Sequence, residues 1–115
     1  MVETAIRKYL EDNLTIPVVM EYPKNPPKRF VMLQLADGGH INHIDAATFF
    51  VTIYAESLYV AADLKETIKT ILLDAISISG ITKSELGGEI AGTDSSNHVY
   101  NYNLTFNFHY YREEI

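Results

Sequence analysis

Cysteine is absent from the 115 residues, and so is tryptophan. Without thiols the chain has no disulfide staple, no thiolate zinc or iron–sulfur ligation and no cysteine nucleophile. The absence fits a reducing compartment. Basic residues are also few. Nine Lys and Arg stand against fifteen Asp and Glu, giving a net charge of -6 and a pI near 5.0. That balance argues against a nucleic-acid binder, because neutralising phosphates needs a basic face. The one basic grouping, Lys24, Lys28 and Arg29, lies in a proline-rich stretch and reads as a solvated turn. No apolar run approaches the roughly 20 residues needed to cross a bilayer. Met1-Val2-Glu3-Thr4-Ala5-Ile6 lacks the basic-then-apolar plan of a signal peptide, so none is expected.

Catalytic signatures are missing as well. There is no G-x-S-x-G elbow, and the serines sit in cap or turn contexts. Gly87-Gly88 with Gly92 superficially resembles a phosphate loop, but no Gly-Lys-Ser/Thr follows. Glu11-Asp12 and Glu113-Glu114 read as solvated ends rather than acid/base pairs. No catalytic residue, no cofactor and no enzymatic activity are therefore expected.

What the chain does contain is enough for one core. Hydrophobic residues make up 47% and charged residues 21%, in a length typical of a single domain, 1–115. Val2, Ile6, Tyr9, Leu10 and Leu14 recur at helical spacing, and Pro17 closes that segment. Val18-Val19-Met20 reads as a short strand. Tyr22-Pro23-Lys24-Asn25-Pro26-Pro27 reads as a stiff loop or sheet edge, since proline cannot serve a central ladder. Phe30 to Leu35 is apolar almost throughout and predicts a strand buried on both faces, or nearly so. Asp37-Gly38-Gly39 predicts a turn.

Along 46–55, Ala47, Phe49, Val51 and Ile53 point one way and Phe50, Thr52 and Tyr54 the other. Ser57 is placed to cap a second helix. Its apolar stripe runs from Leu58 through Ala61, Ala62, Leu64, Ile68, Ile71, Leu72 and Ala75 to Ile76, about 30 Å at about 1.5 Å per residue, with Gly80 beyond it. Residues 81–91 predict a weak strand broken at Gly87-Gly88, and 92–97 predict a turn. In the last strand Tyr100, Tyr102, Leu104, Phe106, Phe108 and Tyr110 alternate with Asn101, Asn103, Thr105, Asn107 and His109. Strands in groups, separated by a helix, predict an α+β fold with a mostly antiparallel or mixed sheet and two helices packed on one face.

Two features bear on function. His40-Ile41-Asn42-His43-Ile44-Asp45 holds metal-ligand residue types, but no third or fourth ligand is evident, and loop histidines beside a glycine turn are the plainer reading. The other feature is the Asn/Thr/His side of the last strand. Exposed strand faces usually carry charge; this one carries neutral hydrogen-bonding groups. It is either a solvated face of unusual composition or a surface that meets another protein.

Taken in order, several pieces resemble a family. They are the opening helix, Ile16-Pro17-Val18-Val19-Met20-Glu21-Tyr22-Pro23, the Pro26-Pro27-x-x-Phe30-Val31 lead into a strand, and Asn42-His43-Ile44-Asp45-x-Ala47. Tyr54-Ala55-x-Ser57, Ala61-Ala62-x-Leu64 and the aromatic closing strand ending Tyr110-Tyr111 follow. They resemble the small tail-completion proteins of long-tailed phages and prophages of Gram-positive bacteria, which belong with the tail terminators. The resemblance spans nearly the whole chain and includes no catalytic motif. It implies a helix–sheet–helix–sheet fold and a ring, commonly of six subunits, that caps the tail tube and ends its polymerisation. The implied partners are the chain itself, the tail-tube protein and the head-connector proteins. The implied place is the virion near the head–tail joint, after assembly in the host cytoplasm. Candidate interaction residues are Pro23, Pro26, Pro27, His40, His43, Asn101, Asn103 and Asn107. Two other readings stay open. One is another morphogenesis part, a head-completion protein or tail-assembly chaperone. The other is a small metal- or ligand-binding domain using the His40/His43 loop.

Overall fold

The computed structural model describes residues 2–41, 44–94 and 99–111. Helix α1 (Val2–Asn13) buries Val2, Ile6 and Leu10, spaced four apart on one face. An exposed Arg7–Glu11 ion pair, 2.8 Å, lies on another. Strand β1 (Val18–Val19) then pairs in parallel with β2 (Phe30–Ile41). Parallel neighbours cannot be joined by a tight turn. The proline-rich stretch 20–29 supplies that long return as irregular chain, as its composition predicts.

Strand β3 (Ile44–Ala55) runs antiparallel to β2. Helix α2 (Leu58–Leu73) follows, its first turn capped by Ser57, whose Oγ accepts from the Val60 amide at 3.1 Å. A 3₁₀ turn (Asp74–Ser77) and Gly80, at φ 97°, lead into β4 (Ile81–Asp94), and β5 (Val99–Tyr110) completes the chain. The five-stranded sheet has the order β1-β2-β3-β5-β4, with every pair antiparallel except β1–β2. The fold is α+β.

Cross-strand partners share a face, so the pairing assigns the two sides. Val31, Ile53 and Tyr102 form one row, and Leu33, Val51 and Leu104 the next. Phe49 and Phe106 follow, then Ala47 and Phe108. This side takes both helices: Ile6 and Leu10 of α1 and Ile68 and Leu72 of α2 are buried against it in one cluster. Leu104, Phe106 and Phe108 are fully buried, as the alternation predicts, while Tyr102 and Tyr110 pack at the margin. Asp74 ties the helices together, accepting from the Tyr9 hydroxyl at 3.0 Å. Lys69 donates to Glu89 at 2.9 Å, fastening α2 over β4, and Lys65 Nζ lies 4.6 Å from the Tyr102 ring centre.

The structure differs from the sequence reading in four places. The segment 30–35 is buried on both faces only at its start: Gln34 and Leu35 are exposed, since among the described residues β1 pairs with β2 only at Val31 and Met32 and Gln34 lies on the side away from the helices. Asp37-Gly38-Gly39 is not a turn. It continues β2, opposite Thr48, Ala47 and Ala46, after a bulge between Leu35 and Asp37. Gly87-Gly88 does not break β4 but forms a bulge within it, and Gly92 to Asp94, the first part of the predicted turn, extend that strand, while 95–97 lie outside the described residues. Helix α2 ends at Leu73, 16 residues and about 24 Å at about 1.5 Å per residue, because the chain tightens to a 3₁₀ turn. Leu58 and Ile76, assigned to its buried stripe, are exposed.

Candidate functional site

The helices occupy one side of the sheet and leave the other open. On that open side lie Phe30, Met32 and Gln34 of β2, then Tyr54, Thr52, Phe50 and Thr48 of β3. Asn101, Asn103, Thr105 and Asn107 of β5 continue it, with Gly88 and Ile90 of β4 at the margin. None of these residues is ionisable in the physiological range, in a chain of net charge -6. The same registers bring charge to one end of this side, where Asp37 lies opposite Thr48 and Glu85 opposite Asn107, with Lys83 opposite His109 and paired to Glu85 at 3.1 Å.

The asparagines form an ordered lattice. Thr48 Oγ1 donates to Asn107 Oδ1 at 2.7 Å, and Thr52 Oγ1 to Asn103 Oδ1 at 2.9 Å. Asn103 Nδ2 in turn donates to Asn101 Oδ1 at 3.1 Å. These bonds hold the amides in fixed orientations, so they are preorganised rather than loosely solvated. Two glycines make room for them. A Cβ on Gly87 would stand 2.8 Å from Asn107 Nδ2, and one on Gly92 would collide with the Asn101 amide. Gly88 is different: a Cβ there would meet nothing within 4 Å. The space above it is part of a shallow trough of about 500 Å³, walled by Phe50 and Ile90 and floored by Thr52, Asn103 and Thr105. Ile90 is 72% exposed and Phe50 49%, although both are large and apolar.

At the end of this face, by β1, the proline loop folds over it. Phe30 and Tyr54 stack with ring centres 4.5 Å apart, and Tyr22 meets both edge-on at 5.8 and 5.6 Å. With Pro26, Pro27 and Lys28 they line a cleft of about 210 Å³. Arg29 Nε donates to both oxygens of Glu56, at 2.9 and 3.0 Å, at the cleft's mouth. That hydrogen bond, helped by the nearby charges of Arg29 and Lys28, holds the Glu56 carboxyl down at about 2. Burial, then the neighbouring Tyr22, pushes the Tyr54 phenol upward.

The structure thus brings most of the sequence-predicted residues to one side. Asn101, Asn103 and Asn107 form its central row. Pro26 and Pro27 line its end, with Pro23 in the same loop. His40 lies in β2, and His43 lies outside the described residues. Among the described residues no three His, Asp or Glu side chains gather to hold a metal. The loop expected around His40 and His43 is corrected to strand on either side, since 37–41 belong to β2 and 44–45 to β3, and 42–43 lie outside the described residues. Sequence reasoning missed Gln34, Thr48 and Ile90 as members of the face. Ile90 had one available signal, an isolated large apolar residue between glycines on a strand that pairs on one side only. No helix among the described residues is long and apolar enough to cross a membrane. Compared with known proteins, the chain matches no family model and no curated protein.

Proposed function

We propose that this chain is a non-enzymatic assembly subunit of a phage tail, one that caps the tail tube and joins it to the head connector. The observation that carries the reading is the centre of the open face: neutral, amide-rich, preorganised by Thr–Asn bonds and dotted with exposed Phe50 and Ile90. Such a surface suits a protein partner. Interface centres are depleted in charge and enriched in aromatic groups, with polar groups already oriented. The sequence resemblance to tail-completion proteins supplies the kind of partner. The ring that it implies is built from heterologous contacts, in which one patch of a subunit meets a different patch of the next. The proline loop, with little conformational freedom left to lose, is suited to be one of them. Repeated weak contacts in a ring gain strength through effective concentration, so ring closure on the end of a tube is favoured over closure in free solution.

The test is genetic and visual. A phage lacking this gene is complemented with the wild-type chain or with Asn103→Glu/Asn107→Glu. Both positions lie on the side away from the helices, so retained folding is the expected outcome, checked by circular dichroism and thermal melting of the purified variant. Loss of the gene should give overlong or headless tails by electron microscopy, and the double variant should fail to restore them through like-charge repulsion and desolvation. Normal tails joined to heads in the absence of the gene would remove the tail function altogether. Normal tails with the double variant would remove only the open face from it.

A further inference from the structure

The open face also has the properties needed to meet a copy of itself. Four strands that share a length of 12 residues, at about 4.8 Å spacing and about 3.4 Å per residue, present a surface of about 19 by 41 Å, or roughly 780 Å². A standard specific interface needs roughly 800 Å² per partner. Two copies of a chain with net charge -6 repel wherever their acidic surfaces meet. On the open face charge gathers at one end, with Asp37, Glu85 and Lys83, and the centre is neutral, so two copies can meet there without opposing like charges. Amides and hydroxyls carry both donors and acceptors, so a face made of them complements itself.

Shape narrows the arrangement further. On β4, exposed Ile90 stands two residues from bare Gly88; on β5 their row partners are Asn103 and Thr105. A two-fold axis crossing the strands midway between these rows exchanges them. It sets Ile90 of each copy over Gly88 of the other, and Asn103 opposite Thr105. The space above Gly88, where a Cβ meets nothing within 4 Å, is then filled by a side chain of the second copy. Two sheets stacked face to face pack about 10 Å apart, with their strands within about 30° of each other, which this operation permits. Growth by adding strands at the β4 edge is opposed by the Lys83–Glu85 pair and two bulges, so the face rather than that edge is the route to association.

We infer that in solution two copies of this chain pair open face to open face, Ile90 of each seated over Gly88 of the other. The inference stands independently of the tail reading. It adds one consequence to it: an isologous pair uses up its own surface and cannot extend, so it is a resting form that must open before the face meets anything else.

Analytical ultracentrifugation of the purified full chain, from about 1 to 200 µM, tests it, a range that spans weak to moderate interfaces of this size. The expected result is a monomer–dimer equilibrium, with Gly88→Glu and Ile90→Glu each raising Kd at least tenfold. The fold should accept both changes, because Gly88 does not adopt a left-handed backbone and Ile90 is exposed. Melting temperatures measured at a concentration where all three proteins are monomeric should agree. A chain that stays monomeric throughout overturns the inference, as does a dimer that survives both substitutions. A closed ring with the open face still reactive to solvent probes also overturns it, while leaving the tail proposal standing.

Discussion

Phe106→Ala is the substitution that most directly examines the assignment of the two faces. Phe106 is fully buried, lies across from Phe49 and Leu86, and stacks with Phe108 at 6.0 Å between ring centres. Phe108 in turn meets Phe49 edge-on at 5.7 Å. Removing one ring from this set loses its transfer free energy and leaves a cavity in a dense interior, which costs about 3–5 kcal/mol in cores generally. The lost aromatic contact, about 0.5–1.5 kcal/mol, falls within that figure. With an m-value of about 2 kcal/mol/M in urea, a loss of about 4 kcal/mol lowers the denaturation midpoint by about 2 M. Tyr102→Ala on the same strand is the internal comparison. Tyr102 is only half-buried, and its ring is covered by the Lys65 ammonium. Its truncation should cost less, about 1–2 kcal/mol, although the alternation alone ranks the two positions equally. Urea titrations followed by tyrosine fluorescence or far-UV circular dichroism give both numbers. A Phe106→Ala loss below about 1 kcal/mol, close to the half-kilocalorie range of surface changes, would mean that the helices do not cover this face.

Two further outcomes are expected. Gly87→Val should cost about 1–2 kcal/mol, because its Cβ displaces the Asn107 amide and disturbs the bond from Thr48, whereas Gly88→Ala should lie within about 0.5 kcal/mol of wild type; equal effects in urea titrations would show that the bulge geometry is misassigned. Glu56 has a folded-state value of about 2 against an ordinary 4.5, so its pairing with Arg29 adds stability that is complete above about pH 4.5 and lost as pH falls toward 2. The midpoint difference between wild type and Glu56→Gln should therefore shrink over that window, and a difference independent of pH would refute the pairing.

Much of the fold was legible in local pattern. The four-residue spacing of Val2, Ile6 and Leu10 can bury one face only as a helix, and the alternation from Tyr100 to Tyr110 can do so only as a strand. Ser57 and the prolines at 23, 26 and 27 act on their immediate neighbours, so their effects on helix start and loop shape follow from chain chemistry alone. Because all these signals are short-range, residue identity was enough to determine the helices, most of the strands and an aromatic core face.

What tertiary structure decided was the meaning of the glycines and of the second face. Asp37-Gly38-Gly39 and Gly87-Gly88 have the composition of turns, yet both are held within ladders to β3 and β5, with the extra residues, Ala36 just before the first and Gly87 in the second, absorbed in bulges. A ladder partner distant in sequence supplies the hydrogen bonds that a turn would otherwise make locally, and no local propensity encodes that supply. The same holds for the open face. Asn103 and Asn107 were visible in one strand, but Thr52, Thr48, Phe50 and Ile90 join them only through registers linking β3, β4 and β5. Residue type specified that these side chains were neutral or apolar. Strand order, by sending both helices to the opposite side, left them together and uncovered.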